Sequence, residues 1–246
     1  DPKALECIPM LKRSDIKREA AKIINEELTV DDSLFLYHDV CTNGIGYVDL
    51  MFKTDSIAPE QIPYLGLLKS VLGYVDTENY TYGELFNEIN ANTGGINCGV
   101  EVFDRADSTE EFQAMFSVRG KALYTKMDFL FKMIGEILNS SKLEDTKRLY
   151  EIVASVKSRA QVNLTGAGHS TAVLRAAAYS SPMAAFQDEM AGIGYYQFIE
   201  KLEKDFEQRK EETVEELCKL IKEILRPENF MISYTGERES LETVQK

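Results

Sequence analysis

The run Pro63–Val75, PYLGLLKSVLGYV, sets the strongest limit on what this chain can fold into. Pro59 and Pro63 suit a first helical turn, where the amide that proline lacks would be unpaired anyway. Leu65, Leu68, Leu72 and Val75 follow at helical spacing, and Tyr64, Leu67 and Val71 fill the adjoining faces. A helix that is apolar around most of its circumference has to be enclosed by other elements. A chain of 246 residues can supply that enclosure. Folding a unit of this size buries roughly 70–75% of its unfolded surface, with no need of disulfide or metal.

The surrounding sequence names the elements. Ser14 followed by Asp15 opens a helix-forming run to Leu28, which reads as a capped helix or the tail of a longer linker helix. Leu34, Leu36 and Val40 mark a strand. Beyond Asn43-Gly44, Gly46, Val48, Leu50 and Phe52 alternate with Tyr47, Asp49, Met51 and Lys53. Alternation across an Asn-Gly turn predicts a hairpin. A helix over Tyr82 to Asn92 ends at Gly94-Gly95. Ile96, Cys98, Val100 and Val102 then form a strand, with Phe112, Ala114, Phe116 and Val118 as its partner across a polar turn.

Helices are predicted over Leu123 to Leu138 and Leu143 to Leu164, then Ser170 to Tyr179, Pro182 to Met190 and Gly194 to Phe206. An amphipathic helix carrying Val214, Leu217, Leu220, Ile221 and Leu225 runs to Pro227, and Phe230, Ile232 and Tyr234 make a last strand. This order predicts one α+β domain: a mainly antiparallel sheet with helices packed on one face.

Lys and Arg number 28 against 41 Asp and Glu, a net charge of −13. That charge repels phosphate backbones and anionic membranes, so neither nucleic acid nor membrane is an expected partner. Cys7, Cys41, Cys98 and Cys218 lie far apart without a Cys-x-x-Cys pair, which fits a reducing, cytoplasmic compartment. No signal-peptide pattern opens the chain. Its first residue is Asp1, the expectation being a processed chain or a piece of a longer protein.

Residues able to carry chemistry are few. A catalytic zinc site commonly takes two histidines from one helix and a third ligand. The histidines here are His38 and His169, and both His-Glu-x-x-His and its inverse are absent. In Tyr37-His38-Asp39-Val40-Cys41 the imidazole and thiol point to opposite faces if the segment is extended. Gly166-Ala167-Gly168-His169-Ser170-Thr171-Ala172 comes within a methyl group of the Gly-x-Ser-x-Gly nucleophile elbow. That elbow needs a preceding strand, whereas Glu151 to Val162 has helical period, and no histidine follows Ser170. The segment reads instead as a glycine break between helices, with His169 or Ser170 capping the second. The acidic run Glu200 to Glu216 reads as a solvated helix face. No catalytic, cofactor-binding or metal-binding residue is assigned.

The order of short motifs along the chain is recognisable. Pro9-Met10-Leu11-Lys12-Arg13-Ser14-Asp15-Ile16, Thr42-Asn43-Gly44-Ile45-Gly46-Tyr47-Val48-Asp49-Leu50 and Asn79-Tyr80-Thr81-Tyr82-Gly83-Glu84-Leu85 come first. Glu88-Ile89-Asn90, Thr93-Gly94-Gly95-Ile96, Gly120-Lys121-Ala122-Leu123, Gly168-His169-Ser170, Arg175-Ala176-Ala177-Ala178-Tyr179 and Gly192-Ile193-Gly194-Tyr195-Tyr196 follow. In these the chain resembles the presequence-protease and falcilysin branch of the pitrilysin (insulin-degrading) superfamily of inverted-zincin metallopeptidases.

The resemblance implies four related α+β domains in two halves, closing around a peptide chamber. Zinc is held by the first domain, through His-x-x-Glu-His and a distal glutamate. This chain resembles the non-catalytic third domain, the peptidase C-associated domain, with a pitrilysin/mitochondrial-processing-peptidase-like fold. Residues 1–30 would then be the end of the inter-half linker helix, and 31–246 a single non-catalytic domain. Leu65–Val75 falls where the first domain has its metal helix, but Gly66-Leu67-Leu68-Lys69-Ser70 offers no ligand. The implied function is a chamber-forming part of a zinc-dependent oligopeptidase, inactive alone, with zinc only in the parent protein. Its implied partners are the catalytic half of the same polypeptide and peptide substrates. The alternative is a stand-alone scaffold of the same fold. The compartment would be the cytoplasm, or the mitochondrial matrix in a eukaryote.

Overall fold

A computed structural model of the chain describes residues 8–19, 22, 24–31, 33–108 and 110–244. Among the described residues six strands form one sheet: β1 (Glu26–Val30), β2 (Ser33–Asp39), β3 (Ile45–Lys53), β4 (Ile96–Asp104), β5 (Phe112–Leu123) and β6 (Phe230–Gly236). Their order across the sheet is β1-β2-β6-β3-β5-β4. The helices are α1 (Ile62–Val71), α2 (Tyr82–Asn92), α3 (Met127–Ser140), α4 (Thr146–Gly166), α5 (Gly168–Ala177), α6 (Pro182–Ala191), α7 (Ile193–Lys204), α8 (Phe206–Ile224) and α9 (Leu241–Val244).

The apolar run Pro63–Val75 supplies α1, which stops at Val71, before Gly73 (φ +84), instead of running to Val75, and it is enclosed as required. Leu65, Leu67, Leu68 and Val71 are fully buried among α4, α6, α7, α8 and β4. Gly66 lets α6 and α7 approach: a Cβ there would lie 2.6 Å from the Met190 carbonyl oxygen and 2.8 Å from the Tyr195 ring. Helix α2 starts at a capping box, in which the Thr81 hydroxyl accepts from the Glu84 amide at 3.3 Å and the Thr81 amide donates to the Glu84 carboxylate at 2.9 Å.

The fold is α+β as expected, but the sheet is mixed rather than purely antiparallel. β2 and β6 run parallel; the other four pairings are antiparallel. The expected hairpin between β2 and β3 does not form. Asn43 (φ +54) and Gly44 (φ +81) do make the tight turn their types favour, yet the strands on either side splay and β6 fills the gap. β6 buries Tyr234 between Phe35 and Tyr37 of β2 on one side and completes the ladder to β3 on the other. Glu237, just past β6, fastens the splayed connection. Its carboxylate accepts from the amides of Thr42 and Asn43 (both 3.2 Å) and Gly44 (3.4 Å), and from the Tyr124 hydroxyl. That hydroxyl, more than any other neighbour, brings the pKa of the Glu237 carboxyl down to about 2.

The expected helix from Ser14 to Leu28 is also not what forms. Arg13–Asp15 is a single 3-10 turn, and Glu26–Val30 is β1, paired with β2; residues 20, 21 and 23 of that prediction lie outside the described residues. Leu28 and Val30 alternate with polar neighbours and pack against the core, a period-two signal too short to outweigh the helix formers before it. The β4–β5 hairpin, by contrast, forms in the predicted place, with Ile96 opposite Gly120 and Asp104 opposite Phe112.

Candidate functional site on the second sheet face

Alternation divides β3 and β5 between two environments. Val48, Leu50, Phe52, Phe116 and Val118 face the helices and the core. Tyr47, Asp49, Arg119 and Lys121 face the other way. The register aligns Ser233, Asp49, Arg119 and Asn97 in one row across four strands, with Thr235, Tyr47 and Lys121 in the next. Side chains directly opposite on neighbouring strands interact, and here they make a charged cluster that also lines a cavity. Arg119 Nε donates to Asp49 Oδ2 at 2.8 Å, and its Nη1 lies 3.1 Å from Glu101.

The cavity is a groove of about 450 Å³ running past Tyr47, Asp49, Arg119 and Lys121 to Gly94-Gly95. Tyr47 is 42% exposed on its wall. The Lys121 stem lies over the glycine turn, 2.6 Å from where a Gly94 Cβ would sit, and the Gly94 amide donates to the Lys121 carbonyl at 2.7 Å. Gly95 takes φ +105, a conformation that favours glycine. Asp49 is only 18% exposed, and its Oδ1 is buried without a hydrogen-bond partner. Burial raises its pKa above the ordinary carboxylate value, against the opposing pull of Arg119.

A groove offering an aromatic face, two hydroxyls and a lysine suits a chain with donors and acceptors, such as an extended peptide. It holds no nucleophile paired with a base. Among the described residues no group of three or more His, Cys, Asp or Glu converges to hold a metal ion.

Two substitutions separate the roles here. Arg119→Ala strips Asp49 of its counter-charge and should cost about 1–3 kcal/mol, the lower end reflecting an arginine that is half exposed. Asp49→Asn should leave stability at neutral pH unchanged or higher. A carboxyl whose folded pKa is raised favours the folded state in acid, and that contribution is lost as pH rises through the folded value. Urea midpoints from acid to neutral pH check both; a strongly destabilised Asp49→Asn at neutral pH would contradict the assignment.

The residues singled out from sequence are dispersed. His38 Nδ1 donates to the Ile24 carbonyl at 2.8 Å, while Cys41 lies beyond the end of β2, exposed, its thiol 3.8 Å from Asn43. Helix α4 precedes the Gly166–Ala172 segment, and His169 and Ser170 sit exposed in the first turn of α5. Ala167 occupies the boundary between the two helices and no side chain caps α5, so neither His169 nor Ser170 plays the capping part expected of it. Gly66, Leu67 and Leu68 are buried in α1, and Lys69 and Ser70 are half-buried near its end. What sequence reasoning missed is Asp49 with Arg119: alternation puts Asp49 on the outward set, but a partner 70 positions away is visible only through register.

The structure also joins two of the short motifs. Asp188, 1% exposed, accepts from the amides of Ile193 (3.1 Å) and Gly194 (3.2 Å) at the start of α7 and from Arg175 of α5 at 2.6 Å. Arg175 and the Gly192-Ile193-Gly194 turn thus meet at one buried carboxylate.

The model of a family described as peptidase M16 (subfamily C) associated matches residues 1–202. The chain is 35% identical over 243 residues to Protein HypA of Clostridium perfringens, covering 98% of this chain and 25% of that protein. It is 27% identical over 245 residues to Presequence protease 1, chloroplastic/mitochondrial, of Arabidopsis thaliana (100% and 23%). Against Presequence protease, mitochondrial, of Yarrowia lipolytica it is 28% identical over 226 residues (92% and 22%). The chain spans about a quarter of the length of these relatives. With most of its length matched in one stretch, the chain belongs to this peptidase-associated family, as found in presequence proteases.

Proposed function

We propose that this chain is a non-catalytic domain of a zinc-dependent oligopeptidase and that its second sheet face forms part of the wall of a peptide-degradation chamber. The observation that carries the reading is full-length similarity to about a quarter of two presequence proteases, by a segment whose α1 has leucine, lysine and glycine rather than metal ligands. Zinc would be held in another part of the parent polypeptide, and that catalytic part is the proposed partner. A pitrilysin/mitochondrial-processing-peptidase-like fold is part of the proposal, as is the assignment of the residues before β1 to an inter-half linker. Such a wall acts on rate by confining and positioning substrate. Peptide substrates would run along the groove between Tyr47 and Lys121. No helix among the described residues is long and apolar enough to cross a membrane; the cytoplasm, or the matrix of a mitochondrion, is the proposed compartment.

The test has two parts. Purified chain incubated with an unstructured peptide should leave it intact with zinc, without zinc and with chelator. A photo-crosslinking residue in place of Tyr47 in the longer parent protein should capture that peptide, and one in place of the exposed Val162 on α4 should not. Chelator-sensitive cleavage by the chain alone would overturn the non-catalytic reading. Capture at Val162 in preference to Tyr47 would overturn the placement of the wall. A chain that is complete and monomeric in its source, with no peptidase part attached, would favour the scaffold alternative.

A further inference from the structure

Helix α5 is built unlike its neighbours. None of its 10 residues is buried, whereas α4, α6, α7 and α8 each bury four or more. Its inner side, with Thr171 and Leu174, is half-buried against α4 and α6. Its outer side repeats at helical spacing as His169, Ala172, Val173 and Ala176, all open to solvent. Val162 near the end of α4 and Tyr179 just past α5 flank that side; with Val173 they are 67%, 83% and 69% exposed in that order. A cavity of about 190 Å³ opens beside Tyr179, against Ala185 of α6.

Charge adds an independent observation. A helix side turned to water ordinarily carries charged residues. Between Arg159 and Asp188 the sequence holds a single one, Arg175, in a chain that is 28% charged. The Arg175 guanidinium is turned onto the buried Asp188, so the outer side of α5 is left uncharged. Such a surface can be covered without stripping water from ions. The length of the relatives says what covers it, because this chain spans about a quarter of each. Surfaces tethered in one polypeptide meet at an effective concentration on the order of millimolar. A few large apolar side chains then suffice, where a free second copy would need a standard-sized interface.

We propose that the outer side of α5, with Val162 and Tyr179, is a docking surface for the rest of the parent polypeptide, which covers it with an uncharged, apolar surface of its own. The inference rests on the reading of this chain as one domain of a longer protein. It puts the docking surface on the helical layer and leaves the sheet groove free for peptide.

Hydrogen–deuterium exchange, read by mass spectrometry on the 246-residue chain and on the longer parent protein, tests it. A helix this short is marginal without packing, so the α5 amides should exchange fast in the chain alone and about tenfold or more slowly in the parent. Val173→Lys suits a helix and sets a charge on the outer side. It should leave the unfolding midpoint of the chain alone unchanged, and in the parent it should return α5 to fast exchange. Equal exchange in chain and parent would overturn the proposal, as would protection that Val173→Lys leaves intact or a lowered midpoint for Val173→Lys in the chain alone. Protection that grows with concentration in the chain alone would assign the surface to a second copy instead, and a source with no further polypeptide attached would remove the partner. Failure of the chamber reading shows elsewhere, as missing peptide capture at Tyr47, and leaves the exchange of α5 as expected.

Discussion

A chain ending at Leu202, where the family match stops, should not fold cooperatively, and neither should one ending at Asn229. The shorter removes α8, whose Leu217, Leu220 and Ile224 are fully buried. Both remove β6, the strand hydrogen-bonded to β2 on one side and β3 on the other. Without it β1 and β2 are cut off from β3, β5 and β4, and the buried rings of Phe35 and Tyr37 lose Tyr234. Loss of one buried aromatic side chain typically costs about 3–5 kcal/mol, and a domain has only about 5–15 kcal/mol in total. Losing a whole central strand with its two ladders exceeds that margin. Near-ultraviolet circular dichroism and urea unfolding of the two truncated chains provide the check. A sigmoidal transition with native-like near-ultraviolet signal for residues 1–229 would show that β6 is dispensable and that its central position means less than argued.

Asp188→Ala should be the most damaging substitution of a charged residue in the helical layer, at about 2–4 kcal/mol. It leaves the amides of Ile193 and Gly194 without their acceptor at the start of α7, and Arg175 without its counter-charge. Breaking a fully buried pair usually costs about 3–5 kcal/mol. The figure is lowered because Arg175 is 39% exposed and can return to water. Asp188→Asn keeps one acceptor and should cost less, about 1–2 kcal/mol. A Cβ at Gly192 would lie 2.4 Å from Asp188 Oδ1, and one at Gly194 2.6 Å from Glu189 Oε1 and 3.0 Å from Asp188 Oδ2, so the turn leaves no room for a side chain at either position. The denaturation midpoint, with the slope unchanged, reads the effect. A loss below about 1 kcal/mol for Asp188→Ala would mean that water replaces the carboxylate and that the helix start is not held by it.

Elements with strong local periodicity were legible. The helix over Tyr82–Asn92, the β4–β5 hairpin and the amphipathic α8 all lie close to where apolar spacing and turn residues put them, and the buried helix expected over Leu65–Val75 forms as Ile62–Val71, one turn short of its expected end. β1 was not legible, because five residues with two half-buried apolar side chains carry less local signal than the helix-forming run before them. The β2–β3 hairpin failed for another reason. Asn43-Gly44 adopts its favoured turn, so the local inference holds, but whether the flanking strands pair is settled by competition with a segment nearly 200 residues later.

The candidate site shows the same division. Alternation in the sequence put Tyr47 and Asp49 on the face away from Val48 and Leu50, and the chemistry of Gly94-Gly95 called for a turn. The tertiary structure decided that Arg119 lies opposite Asp49, that Lys121 lies over the glycines and that Arg175 reaches Asp188. By itself the sequence determined most of the helices and strands, β1 excepted, which side chains those elements bury, and that the buried helix α1 has no metal ligands. Only the fold decided strand order, the parallel β2–β6 pairing and the company each charged group keeps. The physical reason is range. Helical and strand periods act over a few residues and are written into any short stretch, whereas register and strand order depend on which distant apolar faces bury best together, a choice made by the whole chain at once.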